Sequence, residues 1–304
     1  MYQWFAKSLL DILQKPKCQF AELEEKLVAQ GLDVLALTGF CCGICYNALM
    51  TSESTEEASV FYNSIADAYD SMFTFDSRLK SAQEFVAALG QRVKAAVAVD
   101  VGCGTGAYSL ALAMAGIRTI AADVSEAMLA KAHANASELG VQIECKLAGL
   151  EELADAIPCP VDMIVCMGNT LPHLLTPESL ASALDACRAI LNPGGHLVLQ
   201  LLNYERVLAR RERVIGVSRD GAREFVRFYD FIDPLIQFNL IELDWSTSEP
   251  QSRLSGTTLF PYTSEQLRSA LADHGFGEIE LFGGLDFGPY DSESSETLLV
   301  LCIT

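Results

Sequence analysis

Residues 97–112 read VAVDVGCGTGAYSLAL, and the glycines at 102, 104 and 106 constrain this chain more than any other feature. An apolar run, a glycine cluster and a helix-length stretch, in that order, describe a strand that turns sharply into a helix. Glycine is required where the turn adopts a left-handed backbone or lets another group approach the main chain closely. The helix that follows opens with N–H groups that have no intrahelical acceptor, so such a turn is a ready ligand cradle. Apolar segments recur at 95–102, 117–124, 141–147, 161–167 and 195–202, with helix-length stretches between them, the last over 178–191. This alternation predicts an α/β fold with a parallel sheet covered on both faces.

The rhythm changes beyond Asn203. EFVRFYDFID (224–233), LIQFNLIELDW (235–245) and RLSGTTLFPY (253–262) alternate in period 2, which predicts antiparallel strands with one solvated face and an insertion spanning 204–262. A helix over 264–274 and two more strands, GEIELFGGL and TLLVLCI (297–303), close the chain. At the other end, Trp4, Phe5, Leu9, Leu10 and Leu13 fall at helical spacing and FAELEEKLVAQG ends on Gly31, so residues 1–55 read as a helical appendage to a main domain over 56–304. That appendage suits either a cap over the ligand cleft or a contact between copies of the chain in a homo-oligomer.

Charge narrows the partners. With 40 acidic and 21 basic residues the formal net charge is -19, a field that repels nucleic acid and anionic membrane surfaces. The apolar stretch Val34–Ser52 is interrupted by Gly39, Gly43 and Asn47 and is barely long enough to cross a bilayer, so no membrane span is expected. The N-terminus shows no basic leader followed by an apolar core, which points to a cytoplasmic protein with its ten cysteines mostly reduced and buried. Cys41, Cys42 and Cys45 have the spacing of a redox pair or half a metal site; small residues in a packed turn explain them more simply, and no metal is expected.

Two acids choose among the ligands a glycine turn can hold. Asp100 precedes the first glycine by two residues, where it would repel a pyrophosphate and attract an ammonium group. Asp123 stands at the end of the second strand and can accept from ribose hydroxyls; the competing readings are a turn acid at 100 and a helix cap at 123. Ribose and ammonium together indicate S-adenosylmethionine in preference to a nicotinamide dinucleotide. AVAVDVGCGTG, AADVSEAMLAKA, LNPGGHLVLQ and the terminal TLLVLCI then resemble, in this order, the motifs of class I S-adenosylmethionine-dependent methyltransferases, over about residues 60 to 304. The resemblance implies a Rossmann-like seven-stranded sheet with its last strand antiparallel. It also implies a cofactor set of Asp100, Gly102, Gly104 and Asp123, to which the strand-end residues Cys103, Val124, Gly149, Leu150 and Met167 are added. Where the family usually has an Asp or Asn after the third strand to meet the adenine amino group, this chain has Ala148, Gly149 and Leu150.

Within the family, YNSIADAYD (62–70), GNTLPHL (168–174), NYERVL (203–208) and LDFGPY (285–290) are similar to glycine N-methyltransferase and its small-molecule relatives. That resemblance implies that Tyr62 and Tyr69 close over the cofactor. It further implies that Asn169, His173, Asn203, Tyr204 and Tyr290 meet the substrate, with His173, Tyr69 and Asn169 as the candidate catalytic set. The reaction expected is methyl transfer to a small molecule, at an amine nitrogen first, with oxygen, sulfur, carbon or metalloid acceptors as alternatives. A catalytically silent cofactor-binding protein and a nicotinamide oxidoreductase are the readings outside that class. Leu202 stands where the glycine enzyme has a carboxylate-clamping arginine, and Arg227 or Arg253 are the candidate replacements.

Overall fold

The computed structural model describes residues 54–247 and 251–304; the helices expected within residues 1–50, the contact between copies assigned to them, and Cys41, Cys42 and Cys45 lie outside the described residues. Two compact units emerge, one of residues 54–210 with 259–304 and one of residues 211–258.

The first unit is built on seven strands: β1 (Val97–Val101), β2 (Arg118–Asp123), β3 (Glu144–Leu147), β4 (Val161–Cys166), β5 (Leu191–Leu202), β10 (Gly277–Phe282) and β11 (Thr297–Ile303). Their order is β10-β11-β5-β4-β1-β2-β3, and β11 runs antiparallel to both of its neighbours. The expected seven-stranded sheet with an antiparallel last strand is therefore present, and TLLVLCI forms β11 residue for residue. Central strands need apolar side chains on both faces, and Ala98, Val99 and Val101 of β1, Val161, Met163, Ile164 and Val165 of β4, and Leu197, Val198 and Leu199 of β5 are all buried.

The helices are α1 (Ser54–Met72), α2 (Phe75–Leu89), α3 (Ala107–Met114), α4 (Glu126–Glu138), the single turn α5 (Leu153–Ala156), α6 (Pro177–Ile190), α7 (Tyr204–Arg210) and α8 (Ser264–Asp273). In α1 the buried residues Ala58, Phe61, Ile65, Ala68 and Met72 recur every three to four positions, which is the stripe a helix needs to lie on a core. Leu79, Ala82, Phe85, Val86 and Leu89 do the same for α2 and join Leu110 and Leu112 of α3 and Leu299 and Leu301 of β11 in one cluster. Each large side chain buried there contributes about 1.5–3 kcal/mol relative to exposure. Helix starts follow local chemistry: Ser125 caps α4 by accepting from the Met128 N–H, Thr176 precedes Pro177 at the head of α6, and Thr263 and Gln266 form a capping box on α8.

Strand order reverses between β1 and β4, because the chain leaves β1 toward β2 and leaves β4 toward β5. A crevice necessarily opens at the carboxyl ends of these two strands.

The second unit is a four-stranded sheet in the order β6-β7-β8-β9, formed by β6 (Val214–Asp220), β7 (Arg223–Ile232), β8 (Leu235–Asp244) and β9 (Gln251–Leu259). The antiparallel strands expected here are present, with β6 added ahead of them. One solvated face was expected, yet Glu224, Phe225 and Val226 are buried in succession, as are Phe228 and Tyr229, so both faces of β7 are shielded.

Candidate active site

The turn after β1 holds Gly102 at φ 69° and Gly104 at φ 53°, a left-handed backbone that L side chains adopt at a cost. It folds back on β2, with the Gly102 and Cys103 N–H groups both donating to the Ala122 carbonyl, at 2.8 and 3.0 Å. Asp123 then anchors both sides of the crevice: one carboxylate oxygen accepts from the Gly104 N–H at 2.8 Å and the other from the Ser125 N–H at 2.9 Å. Burial pushes the Asp123 pKa up, and these backbone donors pull against it. The acid thus fixes the loop and also borders the cavity, while the helix cap considered for it falls to Ser125.

Around this turn lies a cavity of about 370 Å³, within the roughly 300–1,000 Å³ typical of ligand sites. From the expected cofactor set it gathers Gly102, Cys103, Gly104, Asp123, Val124, Gly149, Leu150 and Met167, with Tyr62 and Tyr69 arriving from α1 and His173 from the turn after β4. The Tyr62 hydroxyl lies 3.1 Å from His173 Nε2, and the two rings meet edge to face with centroids 5.4 Å apart. Burial lowers the His173 pKa to about 4, and its Nδ1 is buried with no partner among the described residues.

Several expected residues are placed elsewhere. Asp100 is 1% exposed and stands outside the cavity wall, taking the Ser109 hydroxyl at 2.5 Å beneath the turn. Its pKa rises to about 7 because burial disfavours the charge, Ser109 offsets part of that, and nearby Asp123 adds to it. An acid with raised folded-state pKa contributes stability that is complete below the unfolded value near 4 and is lost as pH climbs through 7. Asp100→Asn keeps the Ser109 contact and removes the charge, so its Tm advantage over the wild type is expected to be several degrees larger at pH 8 than at pH 4, read by calorimetry at both pH values.

Asn169 adopts φ 70° and acts as a pin, accepting from the Leu202 N–H at 3.0 Å and bonding the buried Tyr204 hydroxyl at 2.9 Å. Asn203 is fully buried, with its amide nitrogen donating to the carbonyls of Ser292 and Ser295 at 2.9 and 3.0 Å. Its oxygen accepts from the Tyr290 hydroxyl at 2.9 Å, and Glu205 also takes that hydroxyl. Asn169, Asn203, Tyr204 and Tyr290 therefore tie loops together and do not line the cavity. Arg227 belongs to the second unit, its guanidinium lying against Gly216, and Arg253 pairs with Glu242 at 3.0 Å.

A group that sequence reasoning missed is Arg78 of α2, which lines the cavity. It donates to Asp70 at 2.5 Å and to the Thr105 hydroxyl at 2.7 Å, and lies 5.0 Å from the Tyr69 ring centroid. Thr105 in turn donates to Asp70 at 2.8 Å, so three side chains bind the α1–α2 corner to the glycine turn. Only the fold brings residues 27 and 35 positions apart into this contact.

Residues 98–195 match a family profile described as a methyltransferase domain. The glycine/sarcosine N-methyltransferase of Halorhodospira halochloris is 28% identical over 77% of this chain and 84% of its own length. The chain is a class I S-adenosylmethionine-dependent methyltransferase. The ubiquinone biosynthesis O-methyltransferase of Xylella fastidiosa strain 9a5c is 32% identical to this methyltransferase over 45% of the chain, which spans about half (54%) of that relative's length. The fold agrees with an S-adenosylmethionine-dependent methyltransferase from Clostridium acetobutylicum, at TM-score 0.68 and 17% identity, covering 80% of this chain and 98% of that one. The CcbJ methyltransferase from Streptomyces caelestis gives TM-score 0.64 and 23% identity over 80% and 97% of the two chains.

The cavity of this methyltransferase fits S-adenosylmethionine on its own evidence. At Gly104 and Gly168, both in left-handed backbone on the cavity wall, a Cβ would meet nothing within 4 Å among the described residues, so bare main chain borders the space a ligand needs. Asp123 offers a carboxylate for hydroxyls, and Val124, Met128 and Leu150 offer an apolar wall. Among the described residues no helix is long and apolar enough to cross a membrane.

Proposed function

We propose that this methyltransferase acts on a small molecule at an amine nitrogen. The observation that carries this reading is the extent of likeness to the glycine/sarcosine N-methyltransferase, 77% of the chain, against 45% for the O-methyltransferase relative. Leu202 ends β5 with no guanidinium to clamp a carboxylate, which argues for an amine other than glycine.

Bound S-adenosylmethionine supplies an electrophilic methyl group on a sulfonium sulfur. The protein's task is to align an acceptor lone pair with that methyl and keep water out. In the reading offered here Asp123 holds the ribose hydroxyls, while Arg78, steadied by Asp70 and Thr105, faces the carboxylate of the methionine portion. Tyr62, Tyr69 and His173 wall the acceptor side.

His173 is then a positioning residue and not a base. A pKa near 4 keeps it neutral at pH 7 and makes it a poor proton acceptor from an ammonium group. A buried N–H with no acceptor is rarer and costlier than an unpaired lone pair, so the proton sits on Nε2 and is donated to the Tyr62 oxygen, leaving Nδ1 bare. The acceptor amine must arrive unprotonated. His173→Asn and Tyr62→Phe are each expected to lower kcat about tenfold, the scale of one buried hydrogen bond. The double variant should fall well short of a hundredfold, because both act through one contact. In all three, kcat/KM should still rise with pH toward the acceptor's own pKa; a limb that disappears only in His173→Asn would make His173 the base.

Transfer of a labelled methyl group to parallel panels of small amines and of phenols tests the acceptor. Labelling confined to phenols would overturn the nitrogen assignment.

A further inference from the structure

Helix α1 meets the head of α4 through a stripe of side chains at every fourth position, Ser59, Asn63 and Asp67. Ser59 donates its hydroxyl to the Val124 carbonyl at 2.9 Å, and Asp67 pairs with Lys131 at 3.2 Å. Between them, the Asn63 side-chain oxygen accepts from the Ser125 hydroxyl at 2.8 Å and from the Ala127 N–H at 3.1 Å, while its amide nitrogen donates to Ser59 Oγ at 3.3 Å. The first N–H groups of a helix have no acceptor within it. Ser125 caps α4 by taking the Met128 N–H, so the Ala127 N–H is met from another helix. Ser125 is also the residue whose N–H holds one oxygen of Asp123, at 2.9 Å. Asn63 therefore reaches Asp123 through one intervening residue, and its chain neighbour Tyr62 stands on the cavity wall with that acid. The same arrangement recurs two turns along α1, where Tyr69 lines the cavity and Asp70 beside it accepts from Thr105 in the glycine turn at 2.8 Å.

We infer that Asn63 is a positioning residue for the cofactor: from one side-chain oxygen it caps α4 across the helix boundary and so sets Asp123 and Tyr62 at a fixed spacing. That oxygen holds two donors of the turn after β2 while its own backbone belongs to α1, so a shift of α1 against α4 breaks both bonds at once. A ligand that touches Asp123 and Tyr62 together binds more tightly when their spacing is set beforehand, because less ordering accompanies binding. Asn63 is exposed, so removing its amide opens no cavity in the core and the loss falls on the hydrogen bonds.

This role rests on the reading of Asp123 as the ribose acid, and the test separates the two. Titration calorimetry with S-adenosylhomocysteine compares the wild type with Asn63→Ala, Asn63→Asp, Asp67→Ala, Asp123→Ala and the Asn63→Ala/Asp123→Ala double variant. Asn63→Ala is expected to bind about fivefold more weakly than the wild type, the scale of one neutral hydrogen bond. Asn63→Asp keeps an acceptor for both donors at a helix N-terminus, where negative charge is favoured, and should bind within about twofold of the wild type. On the Asp123→Ala background, Asn63→Ala should weaken binding by less than about twofold, because residues acting through one path are not additive, whereas a general loosening of the fold adds in full. Asp67→Ala removes an ion pair between the same helices at a side chain 98% exposed and should keep the wild-type affinity. Wild-type affinity in Asn63→Ala, or the same loss from it on both backgrounds, would overturn the role of Asn63 and leave Asp123 in the site. Asn63→Asp binding as weakly as Asn63→Ala, or Asp67→Ala losing as much, would overturn it equally. If Asp123→Ala binds as the wild type does, the ribose reading and the role of Asn63 fall together.

Discussion

Gly102→Ala is expected to unfold at a distinctly lower temperature than Gly104→Ala, although the two glycines are two residues apart in one turn. Both positions have positive φ, so each alanine carries about 1–2 kcal/mol of left-handed strain. Among the described residues a Cβ at Gly104 meets nothing within 4 Å, whereas one at Gly102 would overlap the Thr170 side chain of the turn after β4. Overpacking of that kind adds roughly 1–3 kcal/mol. In a domain of this size each kcal/mol moves Tm by about 2–4 °C, a gap that scanning calorimetry of the unliganded protein resolves. Thr170→Gly combined with Gly102→Ala should recover the steric part and leave the strain. Equal melting of the two single variants would mean that the β1 and β4 turns do not approach as described. Cofactor binding should suffer in both, since Gly102 and Gly104 both border the cavity.

Asp123→Ala is expected to weaken S-adenosylmethionine and its demethylated product by about 10- to 100-fold, from the roughly 1.5–3 kcal/mol of a hydrogen bond to a charged group. Part of this loss is direct, through the ribose hydroxyls, and part arises because the Gly104 and Ser125 N–H groups lose their acceptor and the turn loosens. Asp123→Asn separates the two contributions: its remaining carbonyl oxygen can hold one backbone donor, so its unliganded Tm should exceed that of the alanine variant while its affinity stays low. Titration calorimetry with the demethylated product, beside a melting curve for each variant, reads both. Undiminished affinity in Asp123→Ala would remove this acid from the site.

Much of this fold was legible in the sequence, and for identifiable reasons. β11 and the glycine turn were read in place because their signals are local: a continuous apolar run, and glycines at positions only glycine fills cheaply. The helices expected over 178–191 and 264–274 match α6 and α8 to within a residue, whereas the cap of α4 is Ser125 and not Asp123. β6 escaped because VIGVSRD alternates half-exposed with exposed residues and has no fully buried face to announce it. In the site, residues on strand ends were legible because the topology carries them to the crevice whatever their neighbours do. The asparagines were not, since an amide that binds substrate and one that pins a loop look alike in a sequence; Asn169 and Asn203 turned out to bond backbone and tyrosine partners. Asp100 looked like a ligand group from its place before the glycines, yet Ser109 on the next helix draws it under the turn. Arg78 carries no motif, and its place at the cavity comes only from the fold.

The central claim is that the 370 Å³ cavity at the ends of β1, β2 and β4 holds S-adenosylmethionine. Titration calorimetry of the wild-type protein with S-adenosylhomocysteine, and separately with NAD, tests it most directly. Saturable one-to-one binding of S-adenosylhomocysteine that Asp123→Ala weakens is expected, with no heat of binding for NAD; saturable binding of NAD with none of S-adenosylhomocysteine would contradict the claim.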